Sequence, residues 1–165
     1  AELLTKVPED FVEVIYMKQI RSLGGLDVPL NVVLFQEVTI LQRVIMKVRH
    51  TLHAMRQAID GEVVMTQELL TNIGELFNSL VPQTWVFAPS GDEFSWISST
   101  VCLWFGMLQN RYDQNSKWLT SGRPVTFWMH GFANPQGFLT SMKQEVTRKH
   151  RNDGWALETS FTTPK

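Results

Sequence analysis

The stretch LNVVLFQEVTILQRVIMKVRHTLHAMRQAI, Leu30 to Ile59, decides the fold. Its apolar residues Leu34, Val38, Leu41, Ile45, Val48, Leu52, Met55 and Ile59 follow in alternating steps of four and three. Such steps return side chains to one side of an α-helix. A helix over Leu30–Ile59 runs about 45 Å at a rise of about 1.5 Å per residue. Asp60-Gly61 ends it. A strict two-position seam fits a coiled-coil dimer, whereas a wider stripe fits a helix laid along a bundle. Val32, Val33, Phe35, Ile40 and Val44 widen this stripe, which favours the bundle.

Working outward, VPEDFVEVIYMKQIRSLGG predicts a helix that opens at Pro8 and its neighbouring acids. It places Phe11, Ile15 and Ile20 on one side and Gly24-Gly25 past the end. MTQELLTNIGELFNSLVP predicts a helix capped by Thr66, with a stripe of Leu69, Ile73, Leu76, Phe77 and Leu80 and a stop at Pro82. PQTWVFAPSGDEF is a turn-rich connection. Ile97, Val101, Trp104, Phe105, Leu108 and Tyr112 again keep helical spacing, with Trp118 and Leu119 in a further turn. RPVTFWM is rich in β-branched and aromatic residues and predicts a short extended segment near 125–129. Asn134 and Pro135 suit the cap and first residue of a last helix, with Phe138, Leu139, Met142 and Val146 inward. Arg148, Lys149 and His150 suit its C-terminal end. GWALETSFT alternates as a strand near 155–161, without a partner of adequate length in the sequence. The expected fold is mainly α, a helical bundle around one long helix with two short extended segments. No repeat, low-complexity tract or internal domain boundary is visible.

The 165 residues are 44% hydrophobic and 19% charged, the balance of a globular domain with a core made bulky by ten Phe, six Trp and seven Met. Fifteen basic against 16 acidic residues give a net charge of −1, so overall charge argues for neither nucleic acid nor an anionic membrane. AELLTKVPED lacks the basic start and apolar block of a secretory leader. No window reaches the roughly 20 uncharged apolar residues of a membrane span. The expectation is a soluble, intracellular protein. The lone Cys102 cannot form an internal disulfide, and its apolar neighbours predict a small buried hydrophobe.

GFANPQGF, Gly131 to Phe138, raises the question of a phosphate cradle. A phosphate loop needs two glycines five apart and then Lys, but Gly131 and Gly137 lie six apart and Phe138 stands where Lys belongs. The stretch therefore predicts a packed helix entry. His50 and His53 lie three apart on the long helix, off its seam, with no third ligand at metal spacing. His130 beside Trp128 has no nucleophile motif to serve. No catalytic, cofactor or metal residue is assigned. Arg43, Lys47, Arg49 and Arg56 follow Glu37 on the long helix with no acid before Asp60. They form either a solvated face or a dock for an acidic protein partner.

FWMHGFANPQGFLT, together with the long-helix stretch and AIDGEVVMTQELL, resembles the C-terminal region of dynein heavy chains. The family pattern is a Phe-Trp pair, Gly-Phe, an aromatic or Asn position, and Pro-Gln-Gly-Phe-Leu-Thr before a helix. Here it falls on Phe127, Trp128, Gly131, Phe132, Asn134, Pro135, Gln136, Gly137, Phe138, Leu139 and Thr140. The form with Asn before Pro-Gln-Gly, followed by GWAL from Gly154, is most similar to axonemal outer-arm heavy chains. Ala133 replaces the usual aromatic, and Arg151-Asn152-Asp153 lengthens the turn before Gly154. The resemblance implies that 1–165 is one helical portion of that domain, ending before a β-barrel-like half. It implies a structural and regulatory, non-enzymatic role against the ATPase ring of the same heavy chain. ATP and magnesium would be bound elsewhere in a parent motor ATPase, which would reach microtubules and other dynein subunits. The expected setting is the cytoplasmic cytoskeleton of the cilium or flagellum, with no nucleic acid or membrane partner.

Overall fold

The structure is a computed structural model that describes residues 2–151; the expected strand near 155–161 lies outside them. Seven α-helices and one 3-10 turn are present among the described residues: α1 (Glu2–Thr5), α2 (Glu13–Ser22), α3 (Pro29–Ile59), α4 (Gln67–Phe77), α5 (Gln83–Val86), α6 (Val101–Ser121), the 3-10 turn (Met129–Gly131) and α7 (Pro135–Lys149). The long helix begins one residue before the expected Leu30–Ile59, and no sheet forms among the described residues. These residues group into two compact units, one of 2–11 and 39–114 and the other of 12–38 and 115–151. Helices α3 and α6 each contribute to both units.

In the first unit the seam of α3 is buried from Leu41 through Met55. Its partners are Val81, Trp85 and Val86 of the α5 region and Trp104, Phe105 and Leu108 of α6. The rings interlock: Trp85 lies 5.3 Å from Trp104, and Trp96 stacks on Trp104 at 4.8 Å. The Arg111 guanidinium lies 4.1 Å from the Trp96 ring centroid. Tilted and stacked aromatic pairs at such spacing add to the area term of burial. The seam is thus covered by its own polypeptide, as the bundle reading expects. Ile59 departs from it: the last turn leaves this residue 66% exposed.

The N-terminal segment differs from the expected helix over 8–23. Asp10 accepts from Gln42 Nε2 at 2.8 Å and pairs with Arg49, while Gln42 Oε1 accepts from the Phe11 amide at 2.6 Å. Side chains of α3 thus hold 8–11 as a strap, and α2 starts only at Glu13. Its inward residues are Tyr16 and Ile20, whereas Ile15 faces solvent. The helix end is as expected, with Gly24 and Gly25 at φ +108° and +75°, a region that favours glycine. Buried Asn31 fixes this turn by donating to the Leu23 and Gly25 carbonyls at 3.1 and 2.9 Å.

Thr66 caps α4 by accepting from the Leu69 amide, as predicted. The expected stripe is only partly inward: Phe77 is 90% exposed and Leu80 is exposed too. Ile97 precedes α6 and is exposed. Cys102 is exposed in the first turn of α6 rather than buried, because the inward side of that helix is filled by Trp104, Phe105 and Leu108. The 125–129 segment forms no strand; it bends into the 3-10 turn, with Trp128 extended at its start.

Candidate functional site

The second unit turns on the corner between Phe127 and Phe138. Phe127, Phe132 and Phe138 gather around Trp118 of α6, at 5.0, 6.5 and 6.5 Å between ring centroids. Phe132 stacks on Phe138 at 4.6 Å, and Phe127 meets Phe138 at 4.8 Å in a T-shape. Phe138 and Trp118 are each 1% exposed. Four rings from three segments therefore form the local core. Trp128, between them in sequence, is 36% exposed.

The backbone of the corner is fixed from two directions. Asn134 Oδ1 accepts from the Gly137 amide at 2.9 Å, and Pro135 is the first helical residue, the expected cap of α7. Glycine at 137 is required by that cap: an added Cβ would lie 2.6 Å from Asn134 Nδ2 and 2.9 Å from its Cγ. From below, Glu37 of α3 is 5% exposed, and its carboxylate accepts from the Ala133 amide at 3.0 and 2.8 Å and from the Asn134 amide at 3.1 Å. Successive amides converging on one oxyanion are the arrangement a phosphate cradle uses. Here the anion belongs to the protein itself.

Glu37 carries no role in the sequence reading, although a signal for one is present. It is the one acid within Pro29–Ile59 and sits between the seam residues Leu34 and Val38. An acid on an apolar stripe needs a donor, but the donors lie 96 and 97 residues downstream. Neighbouring polar contacts belong to the same unit. Arg123 Nη2 meets both Glu145 oxygens at 2.6 Å, and Arg148 donates to the Asp27 carbonyl at 2.9 Å. Arg123 and Glu145 border a cleft of about 230 Å³ walled by Leu30, Phe127, Met142 and Val146. That is below the roughly 300–1,000 Å³ of small-molecule sites.

The four basic residues of α3 are not brought together. Arg43 and Lys47 lie one turn apart, on the opposite side of the helix from Arg49 and Arg56 at about 100° per residue. Arg49 is engaged by Asp10 and the Pro8 carbonyl, and Arg56 lies 3.7 Å from Asp60. His50 and His53 are exposed. Among the described residues, no group of three or more His, Cys, Asp or Glu could hold a metal ion, and no helix is long and apolar enough to cross a membrane.

The second unit is thus a helical one whose phenylalanine-rich corner is a packed helix entry, its converging amides taken up by the protein's own carboxylate. The sequence belongs to the family of the C-terminal domain of the dynein heavy chain, matching it over residues 1–163. It is 40% identical to dynein axonemal heavy chain 5 of Mus musculus over 157 residues and 40% identical to dynein axonemal heavy chain 8 of Homo sapiens over 158. It is 44% identical to the dynein gamma chain, flagellar outer arm, of Chlamydomonas reinhardtii over 158 residues. Each alignment covers 95 or 96% of this chain and 3% of the relative. The chain thus spans a small fraction of the length of the proteins it matches.

Proposed function

We propose that this protein is a non-enzymatic structural and regulatory segment of a dynein motor heavy chain. It packs on the ATPase ring of the same heavy chain and serves ATP-driven, microtubule-based movement in the axoneme of a cilium or flagellum. ATP and magnesium are held by other parts of that heavy chain, and microtubules and further dynein subunits are reached through it. Membership of the family over almost the whole sequence supports the motor setting. The observation that carries the structural role is the Glu37 carboxylate on the Ala133 and Asn134 amides. The corner that imitates a phosphate cradle already holds an internal anion, and its geometry serves to join α3 to the α7 entry.

The test is made on the intact heavy chain with Glu37→Gln, which keeps the shape and removes the charge. Gliding velocity on microtubules is expected to change while nucleotide affinity stays at the parent value. Unchanged velocity with a demonstrably altered corner would contradict the mechanical role. A fall in nucleotide affinity would point to a ligand function instead.

A further inference from the structure

The charged residues of α3 are compensated within the protein, with two exceptions. The Glu37 carboxylate holds two amides, Arg49 is paired with Asp10, and Arg56 lies beside Asp60. Arg43 and Lys47 make neither a salt bridge nor a side-chain hydrogen bond among the described residues. Like charges one turn apart weaken a helix, so this pair gains nothing from its own element. At about 100° per residue, Arg43, Lys47 and the exposed His50 share one side of α3, with Ile40 and Met46 along its two margins. That side lies opposite the buried seam of Leu41, Val44, Ile45 and Val48. Ile40 and Met46 are 36 and 58% exposed, and α3 holds no acid after Glu37. The result is a cationic strip with apolar edges, about 15 Å long and one helix, about 10 Å, wide. All of it belongs to the first unit.

We propose that this strip docks an acidic amphipathic helix from elsewhere in the same heavy chain. Two carboxylates one turn apart on that helix meet Arg43 and Lys47, and an apolar side chain packs on Met46. Uncompensated cations select an anionic counterpart. The first unit as a whole carries ten Asp and Glu against six Lys and Arg, so a nucleic acid or an anionic membrane meets net repulsion there. A protein segment with a few carboxylates needs only the strip, and it brings the apolar contact that exposed Ile40 and Met46 call for. The strip is far smaller than the roughly 800 Å² per partner of a stable interface between separate proteins. A contact of this size is held when the partner is tethered, at an effective concentration on the order of millimolar. The aligned region amounts to 3% of the relatives' length, so such a heavy chain has ample tethered sequence to supply the helix. The proposal rests on the motor-segment reading and names a surface that does the packing.

The test places a photo-crosslinking residue at Met46 in the intact motor complex, with mass spectrometry locating the product. The expected crosslink is intramolecular, to a heavy-chain segment with Asp or Glu beside the captured residue. Arg43→Glu with Lys47→Glu is expected to lower its yield by about tenfold, since like charges then meet. Arg43→Lys with Lys47→Arg keeps both charges and is expected to keep the yield, as is Arg56→Glu on the other side of the helix. Parental yield in the doubly reversed variant overturns the proposal, as does an equal loss in Arg56→Glu. So does a crosslink to a second copy, to a different subunit, to nucleic acid or to lipid, or no product above that of a probe at Gln67. Gliding velocity of the doubly reversed motor separates this proposal from the reading beneath it. The expected crosslink combined with parental velocity in that variant sustains the docking and contradicts the mechanical role. Altered velocity without the crosslink sustains the role and overturns the docking.

Discussion

Phe138 carries the largest single consequence at the residue scale. Its ring touches Phe127 and Phe132 and is almost fully buried, so Phe138→Ala leaves a cavity that neighbouring rings cannot close. The expected loss is about 3–5 kcal/mol in denaturant unfolding, and an unchanged midpoint would contradict the packing. Gly137 gives a sharper test. In a helix, Gly→Ala ordinarily stabilises by up to about 1 kcal/mol. Here the new Cβ meets Asn134 at 2.6 Å and displaces a cap whose loss also costs about 1 kcal/mol, with steric strain added. Gly137→Ala is therefore expected to destabilise the parent protein and to stabilise the Asn134→Ala variant, in which every atom it would strike is gone. Additive effects across that double-mutant cycle would refute the cap account. The cap, the proline and the buried phenylalanines are legible in FANPQGF, because capping is local chemistry. The sign at Gly137 is not, since it depends on a side-chain rotamer that spacing does not specify.

Among the elements, α3 is the most legible because a period repeated over about eight turns outweighs any local ambiguity. The shorter helices show where periodicity fails. A stripe of apolar residues marks which side a helix could bury but does not say whether anything covers it. Spacing alone points Ile15, Phe77, Leu80 and Ile97 inward, and all four are exposed. Helix α2 starts later than its proline and acids suggest, because Gln42 and Arg49 of α3 hold Asp10, and Gln42 the Phe11 amide, as a strap. The end of α4 yields a prediction of its own. The Leu80 amide donates to the Glu75 carbonyl at 2.9 Å across Ser79, which sits at φ +61°. This is the left-handed helix terminus that glycine normally supplies, and a residue with a Cβ there costs about 1 kcal/mol or somewhat more. Ser79→Gly is expected to raise stability by up to about 1 kcal/mol, offset in part by glycine's greater freedom in the unfolded state. A lower thermal midpoint would show that the seryl hydroxymethyl group contributes something this geometry does not include.

Over the whole molecule, the mainly helical class is legible, whereas the division into two units is not. Its boundaries at 38/39 and 114/115 fall inside α3 and α6, where no proline, glycine or change of composition marks them. The same organisation bears on assembly. Leu41, Ile45, Val48 and Leu52 are buried within the protein's own core, so sedimentation is expected to give a monomer. A stable dimer dispersed by a polar residue at Ile45 or Leu52 would restore the coiled-coil alternative. The Glu37 bond is illegible for a different reason: its partners are nearly a hundred residues away, and nothing in GFANPQGF names the anion that its amides hold. That bond is also where the structural account is most exposed to test. Hydrogen exchange at the Ala133 and Asn134 amides, followed in the parent and in Glu37→Gln, each with and without excess ATP, measures it directly. Glutamine keeps an acceptor oxygen but not the charge, and hydrogen bonds contribute about 1.5–3 kcal/mol to a charged group against about 0.5–1.5 to a neutral one, so protection in the variant should fall by about fivefold, and ATP should leave the parent unchanged. Protection that survives the substitution, or that rises in the parent when ATP is added, would contradict the claim that this corner is a structural joint filled by its own carboxylate.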